Sequence, residues 1–107
     1  MHCAITQCSE DRVLNACHIK GDAYCLKDND GNEMNPNNGI LLTPTIHWLF
    51  DRGFLSFTDN NKVLLSTHIS DVQYARINLK RNMSSNILHI EKRREFLKWH
   101  RENIYKG

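Results

Sequence analysis

Several absences narrow what this 107-residue chain can be. No apolar run approaches the ~20 residues that a membrane-spanning helix needs, so no contact with a membrane is expected. No basic segment followed by an apolar one opens the chain, so no secretory leader is visible. The four cysteines, Cys3, Cys8, Cys17 and Cys25, include no C-x-x-C pair, which is poor spacing for structural zinc. Without a leader, disulfides are also disfavoured, and free thiols are the preferred reading over zinc or a bridge. There is no internal repeat. The run from Asp28 to Glu33 resembles the start of a calcium loop, but the ligand series stops early and lacks the distal glutamate.

What is present is ordinary for a soluble globular chain: 40% apolar and 24% charged residues, enough for one domain with a modest core. The net charge of +2 is unevenly spread. Residues 80–107 hold eight Lys and Arg against three Asp and Glu, whereas residues 1–79 hold six against nine. A basic rear beside an acidic front suits a polyanion held near a cation, although such a tail can also be a solvated helix face. The abrupt start at Met1, His2 and Cys3 reads as a C-terminal fragment of a longer protein.

Residues 12–19 alternate as a strand, with Val13, Asn15, Cys17 and Ile19 on one face and Leu14, Ala16 and His18 on the other. Residues 22–37 are polar and read as a loop. Ile40, Leu41 and Leu42 make a short strand. Thr43 is a suitable N-cap and Pro44 a suitable first residue for a helix over 44–51, in which Ile46, Leu49 and Phe50 face inward and which Gly53 stops. Residues 54–57 and 63–66 read as a hairpin around Asp59, Asn60 and Asn61. Residues 70–83 are ambiguous between strand and frayed helix. Residues 80–89 read as a linker to a last helix over 90–105, with Phe96, Leu97, His100 and Ile104 on its apolar side and Arg94, Lys98 and Arg101 as a basic stripe.

Strand, loop, strand, helix is a ββα arrangement, and the fold class expected is α+β. Its helix places His47 and Asp51 at i and i+4, one turn apart on one face. An imidazole nitrogen and a carboxylate oxygen make an incomplete shell for a divalent ion, with positions left for water and a phosphate oxygen. His18, at the end of the first strand, has an intrinsic pKa near ~6.5 that suits a general base for water. The Asn38 amide both donates and accepts, so it can pin the long loop to the strand that carries His18. Each residue also has a plain reading: a surface histidine, a helix-face pair, an Asn-Gly turn. Order and spacing together favour the site.

The set Cys17-His18-Ile19, then Asn38-Gly39-Ile40-Leu41-Leu42, then His47-Trp48-Leu49-Phe50-Asp51-Arg52-Gly53 resembles the HNH endonucleases, in the branch where AHI is followed by NGLLL and H-x-LFD-x-G. The opening Cys3-Ala4-Ile5-Thr6, the hairpin and the ending from Phe96 to Asn103 are similar to that branch too. The resemblance implies a metal-dependent endonuclease acting on DNA and leaving 5′ phosphates. His18 matches the general base, Asn38 the loop-bracing asparagine, His47 a metal ligand and Asp51 a further ligand. Mg²⁺ is the implied ion, with Mn²⁺, Ni²⁺ or Zn²⁺ as alternatives. Cys17 departs from relatives that carry a metal-binding residue there; a thiolate would select a softer ion, and packing is the preferred role. Lys20, Arg52, Arg94, Lys98 and Arg101 are candidate phosphate contacts. His68, His89, Trp48 and Trp99 are read as structural or exposed. The implied setting is a cytoplasmic restriction or defence enzyme of a bacterium or phage. Its sequence specificity would come from additional N-terminal domains or a homodimer partner. The alternatives are an RNA-directed nuclease and a catalytically inactive or zinc-stabilised nucleic-acid-binding module.

Overall fold

The structure, a computed structural model, describes residues 2–107. It is α+β, with two small antiparallel sheets and four α-helices among the described residues. Strand β1 (Asn15–His18) pairs with β2 (Gly39–Leu42), with Cys17 opposite Ile40 and His18 opposite Gly39. Helix α2 (Pro44–Asp51) follows at once, with Thr43 in extended backbone before it and Pro44 in its first turn. Ile46, Leu49 and Phe50 are buried, as the helical spacing requires. Strands β3 (Leu55–Phe57) and β4 (Val63–Leu65) form the second sheet. One apolar core runs from Cys3 through both sheets and α2 to Phe96 and Leu97. No helix among the described residues is long and apolar enough to cross a membrane.

Four elements differ from the sequence reading. The strand expected over 12–19 is shorter, because Asp11–Val13 form a 3-10 turn capped by the Glu10 carboxylate, which accepts from the Arg12 N–H at 3.2 Å. The loop expected over 22–37 contains helix α1 (Asp22–Asp28) and two 3-10 turns, Asn32–Met34 and Pro36–Asn38. Helix α1 buries only Cys25 and leaves Leu26 exposed, so no apolar stripe announces it. Its tie to the body is tertiary: Tyr24 meets the Trp99 ring edge-on at 4.9 Å. Residues 70–83 hold a short helix, α3 (Asp71–Ala75), pinned by the buried Tyr74, whose hydroxyl donates to the Ser66 carbonyl at 2.7 Å. The last helix is divided. A 3-10 turn over Ile90–Lys92 precedes α4 (Arg94–Asn103), and Arg93 between them donates to the carbonyls of Gly39 (2.9 Å) and Leu88 (2.8 Å).

The segment 80–89 does lead to the last helix, but it is stitched to the sheets. Val63 N–H donates to Met83 O, Asn86 N–H to Ala4 O, and the Asn61 side chain accepts from Ile87 N–H at 2.8 Å.

Helix α4 is locked by His100, which is 1% exposed. Its Nε2–H donates to the Phe50 carbonyl at 2.8 Å, so Nδ1 accepts from the Ser56 hydroxyl at 2.8 Å. The ring also stacks on Phe50 at 3.8 Å between centroids. Burial pushes its pKa down to about 4, well below the ordinary value for an exposed imidazole. The unfolded chain therefore binds a proton that the folded chain refuses between about pH 6.5 and pH 4. Stability is complete above that window and falls on acidification through it, by about 3 kcal/mol from this group. Urea midpoints measured between pH 7 and pH 4.5 should fall less steeply in His100→Gln than in the parent; equal slopes would show that another group controls the acid side.

Candidate active site

The site starts from two adjacent structural facts: β1 stops at His18, and the chain re-enters at Asn38 directly beside it. Along β1 the side chains alternate, so Cys17 and Ile19 are buried while Ala16 and His18 are exposed. Cys17 donates its S–H to the Ile40 carbonyl at 3.3 Å. Burial, and then the nearby Asp51 carboxylate and Cys3, push its thiol up to about 12. Cys17 packs within the apolar core. All four cysteines are free.

Asn38 is completely buried. Its Oδ1 accepts from the Lys20 N–H at 2.8 Å, and its Nδ2 donates to the carbonyls of Lys20 (2.9 Å) and Asn32 (3.1 Å). One side chain thus ties the start of β2 to the turn after His18 and to the intervening loop. Because all its polar atoms are used without access to water, removing the amide would leave several backbone groups unpaired.

His47 and Asp51 share the outward face of α2, with Nε2 and Oδ2 2.9 Å apart and side chains 27% and 56% exposed. The other ring nitrogen, Nδ1, meets the side-chain amide of Asn15 on β1 at 3.1 Å. The amide NH2 donates, so Nδ1 accepts and the ring is held in place by β1; a cation bound at Nε2 would take the place of that nitrogen's proton. The donor set fits a divalent cation: one borderline nitrogen and one hard oxygen, half open to solvent. Among the described residues no hydrogen bond or ion pair joins His18 to this helix pair. His18 instead meets Asp22, at 2.6 Å. A cleft of about 210 Å³ lined by Cys17, His18, Glu33, Met34 and Gly39 opens beside it.

The basic candidates divide into two groups. Lys20 is buried, with its ammonium 2.6 Å from Asp28 and 2.7 Å from Asp30, which hold its pKa well above the ordinary value. Arg101 donates to the Phe57 carbonyl at 2.9 Å and pairs with Asp59 at 3.0 Å. Both spend their charge inside the chain, which the sequence reading did not foresee. Arg94 and Lys98 are exposed on α4. Arg52 stacks over the exposed Trp48 ring at 4.2 Å, beside His47.

Three groups escaped the sequence reading. Asn15 was legible only as a strand-face neighbour of Cys17. Asp22 lay in a segment read as loop. Cys25, Asp30 and Glu33 bring ligand atoms within 4.8 Å of one another, a grouping that depends on α1 and the turns after it. The Lys20 ammonium already supplies a cation to Asp30 there.

A search among curated proteins found no match. A family model described as HNH endonuclease matches residues 3–58, just over half of the chain, and spans β1, β2, α2 and the first strand of the second sheet. A ββα element with histidines at the end of its first strand and on its helix, matched over that length, places this chain in the HNH endonuclease family.

Proposed function

We propose that the chain is a metal-dependent endonuclease that hydrolyses phosphodiester bonds of DNA, serving as the cleavage domain of a restriction or defence enzyme. The observation that carries this reading is the His47–Asp51 pair, 2.9 Å apart on the open face of α2, with His47 oriented by Asn15 from the neighbouring strand. These two side chains would hold one divalent cation, with Mg²⁺ preferred for its affinity for carboxylate and phosphate oxygen. When bound, such an ion supplies charge stabilisation to the phosphate and to the departing 3′ oxygen.

The remaining work falls to the chain. His18 accepts the proton of the attacking water. Asn38 holds the turn that carries His18 against the loop. Arg52, Arg94 and Lys98 offer charge to phosphates, a contact that grips the backbone without reading sequence. This domain alone should therefore cut with little sequence preference, with specificity supplied by further domains or a second copy. Cys17, Lys20 and Arg101 are not assigned ligand or phosphate roles.

A zinc-stabilised, catalytically inactive binding module is the second reading, and the proximity of Cys25, Asp30 and Glu33 favours it. Metal chemistry separates the two. The parent should nick supercoiled plasmid with Mg²⁺ or Mn²⁺ and stop with a chelator. His47→Ala should weaken metal binding by about 10-fold or more in calorimetric titration, having lost one of two protein ligands. An unchanged titration would remove His47 from the ligand set. Stoichiometric, tightly held zinc without Mg²⁺-stimulated cutting would establish the second reading instead.

A further inference from the structure

We infer that Asp22 is a positioning residue for His18, fixing the ring's tautomer and aiming its free nitrogen outward; this rests on the reading of His18 as the base. Asp22 opens α1, four residues after His18, and its Oδ1 lies 2.6 Å from His18 Nδ1. The turn between them is not free to drift. Ile19 is buried and its N–H donates to the Asn38 carbonyl at 3.1 Å, while Lys20 is held through both its N–H and its carbonyl by the Asn38 side chain. Gly21 then starts the helix in extended backbone. A strand end and a helix start, braced by one asparagine, thus present an imidazole and a carboxylate to each other.

A carboxylate accepts, so Nδ1 carries the proton and Nε2 carries the lone pair. That is the state a general base needs. In the reaction, the water oxygen forms a bond to phosphorus and its proton passes to Nε2. The phosphorus–O3′ bond breaks, and the electron pair leaves with the 3′ oxygen. The ring is then an imidazolium whose Nδ1–H still faces the Asp22 carboxylate, the arrangement by which an acidic partner steadies a catalytic histidine. Both side chains are partly exposed, 40% for His18 and 63% for Asp22, so water moderates the pairing.

Two measurements test this. In long-range ¹H–¹⁵N spectra of the metal-free parent at pH 8, His18 should be protonated at Nδ1, and Asp22→Ala should move the proton to Nε2. A parent already protonated at Nε2 overturns the proposal without reference to activity. In single-turnover plasmid cleavage with Mg²⁺, Asp22→Ala should slow the cut by about 10- to 100-fold, as loss of an orienting partner does. The double variant His18→Ala/Asp22→Ala should be no slower than His18→Ala, because Asp22 acts through the ring. Additive losses would mean that Asp22 merely supports α1, and would overturn it. If His18→Ala cuts as fast as the parent while the tautomer still responds to Asp22, the pairing is real and the base assignment is what fails.

Discussion

Replacing His18 by alanine should slow plasmid cleavage by roughly 10²- to 10⁴-fold, the range that a positioned general base contributes. The side chain is well placed for a clean test. It ends β1, is partly exposed, and lies on the opposite strand face from the buried Cys17. Its removal takes nothing from the apolar core, so stability should change by only about 0.5 kcal/mol. Its close neighbour, Asp22, is itself exposed and can be satisfied by water. Binding of uncut DNA, followed by fluorescence anisotropy with Ca²⁺ in place of Mg²⁺, should stay within about 2-fold, because the residues proposed to offer charge to phosphates, Arg52, Arg94 and Lys98, are left in place. Cleavage at the parental rate would show that another group activates water. A parallel loss of DNA binding would show that the ring holds substrate and does not act as the base.

Gly53→Ala should be the most destabilising single methyl added to this chain. Gly53 ends the α2 turn with φ of +82°, a left-handed conformation that costs an alanine about 1–2 kcal/mol. A Cβ there would also sit 2.1 Å from the backbone carbonyl oxygen of Ile104 and 3.0 Å from its carbonyl carbon. That oxygen belongs to the segment just after α4, which returns to donate Lys106 N–H to the Gly53 carbonyl at 2.9 Å. Backbone cannot yield as a side chain tip can, so the C-terminal segment must lift away. A total loss of about 3–4 kcal/mol is expected, combining the conformational penalty with the disrupted docking. At a few degrees per kcal/mol for a domain of this size, the melting temperature should fall by about 10–25 °C. Gly31→Ala is the matched control: φ is +72° and nothing lies within 4 Å of the added carbon. It should lose only the conformational part. Equal losses at the two positions would show that the close approach of Ile104 carries no energy.

Gly53 also shows where sequence reading reaches its limit. A glycine after Phe50 and Asp51 reads correctly as a helix stop, because the αL requirement is local. That a second backbone passes within van der Waals distance depends on α4 being docked, and nothing within several residues of Gly53 encodes it. Helix α1 failed for the opposite reason. Its formation needs Asp22 at the first turn, a left-handed stop at Asn29 and the Tyr24–Trp99 contact, yet only one of its residues is buried. Periodicity detects burial, so a helix with a nearly solvated surface has no periodicity to detect. The candidate phosphate contacts illustrate a third limit: Lys20 and Arg101 look free in a list of charges, but folding brings Asp28 and Asp30 to the first and Asp59 to the second.

The order β, β, α, the inward face of α2, the four-residue spacing of His47 and Asp51, and the placement of His18 and Asn38 at element boundaries were all determined by the sequence alone. They follow from steric periods of two and 3.6 residues and from turn chemistry, which act over a few positions. Tertiary structure alone decided that Asn15 orients His47, that Asp22 meets His18, that Lys20 is buried between two aspartates, and that His100 remains neutral between Phe50 and Ser56. A hydrogen bond is satisfied within about 3 Å and is indifferent to chain distance, so such partners become visible only once the packed core has set which surfaces meet.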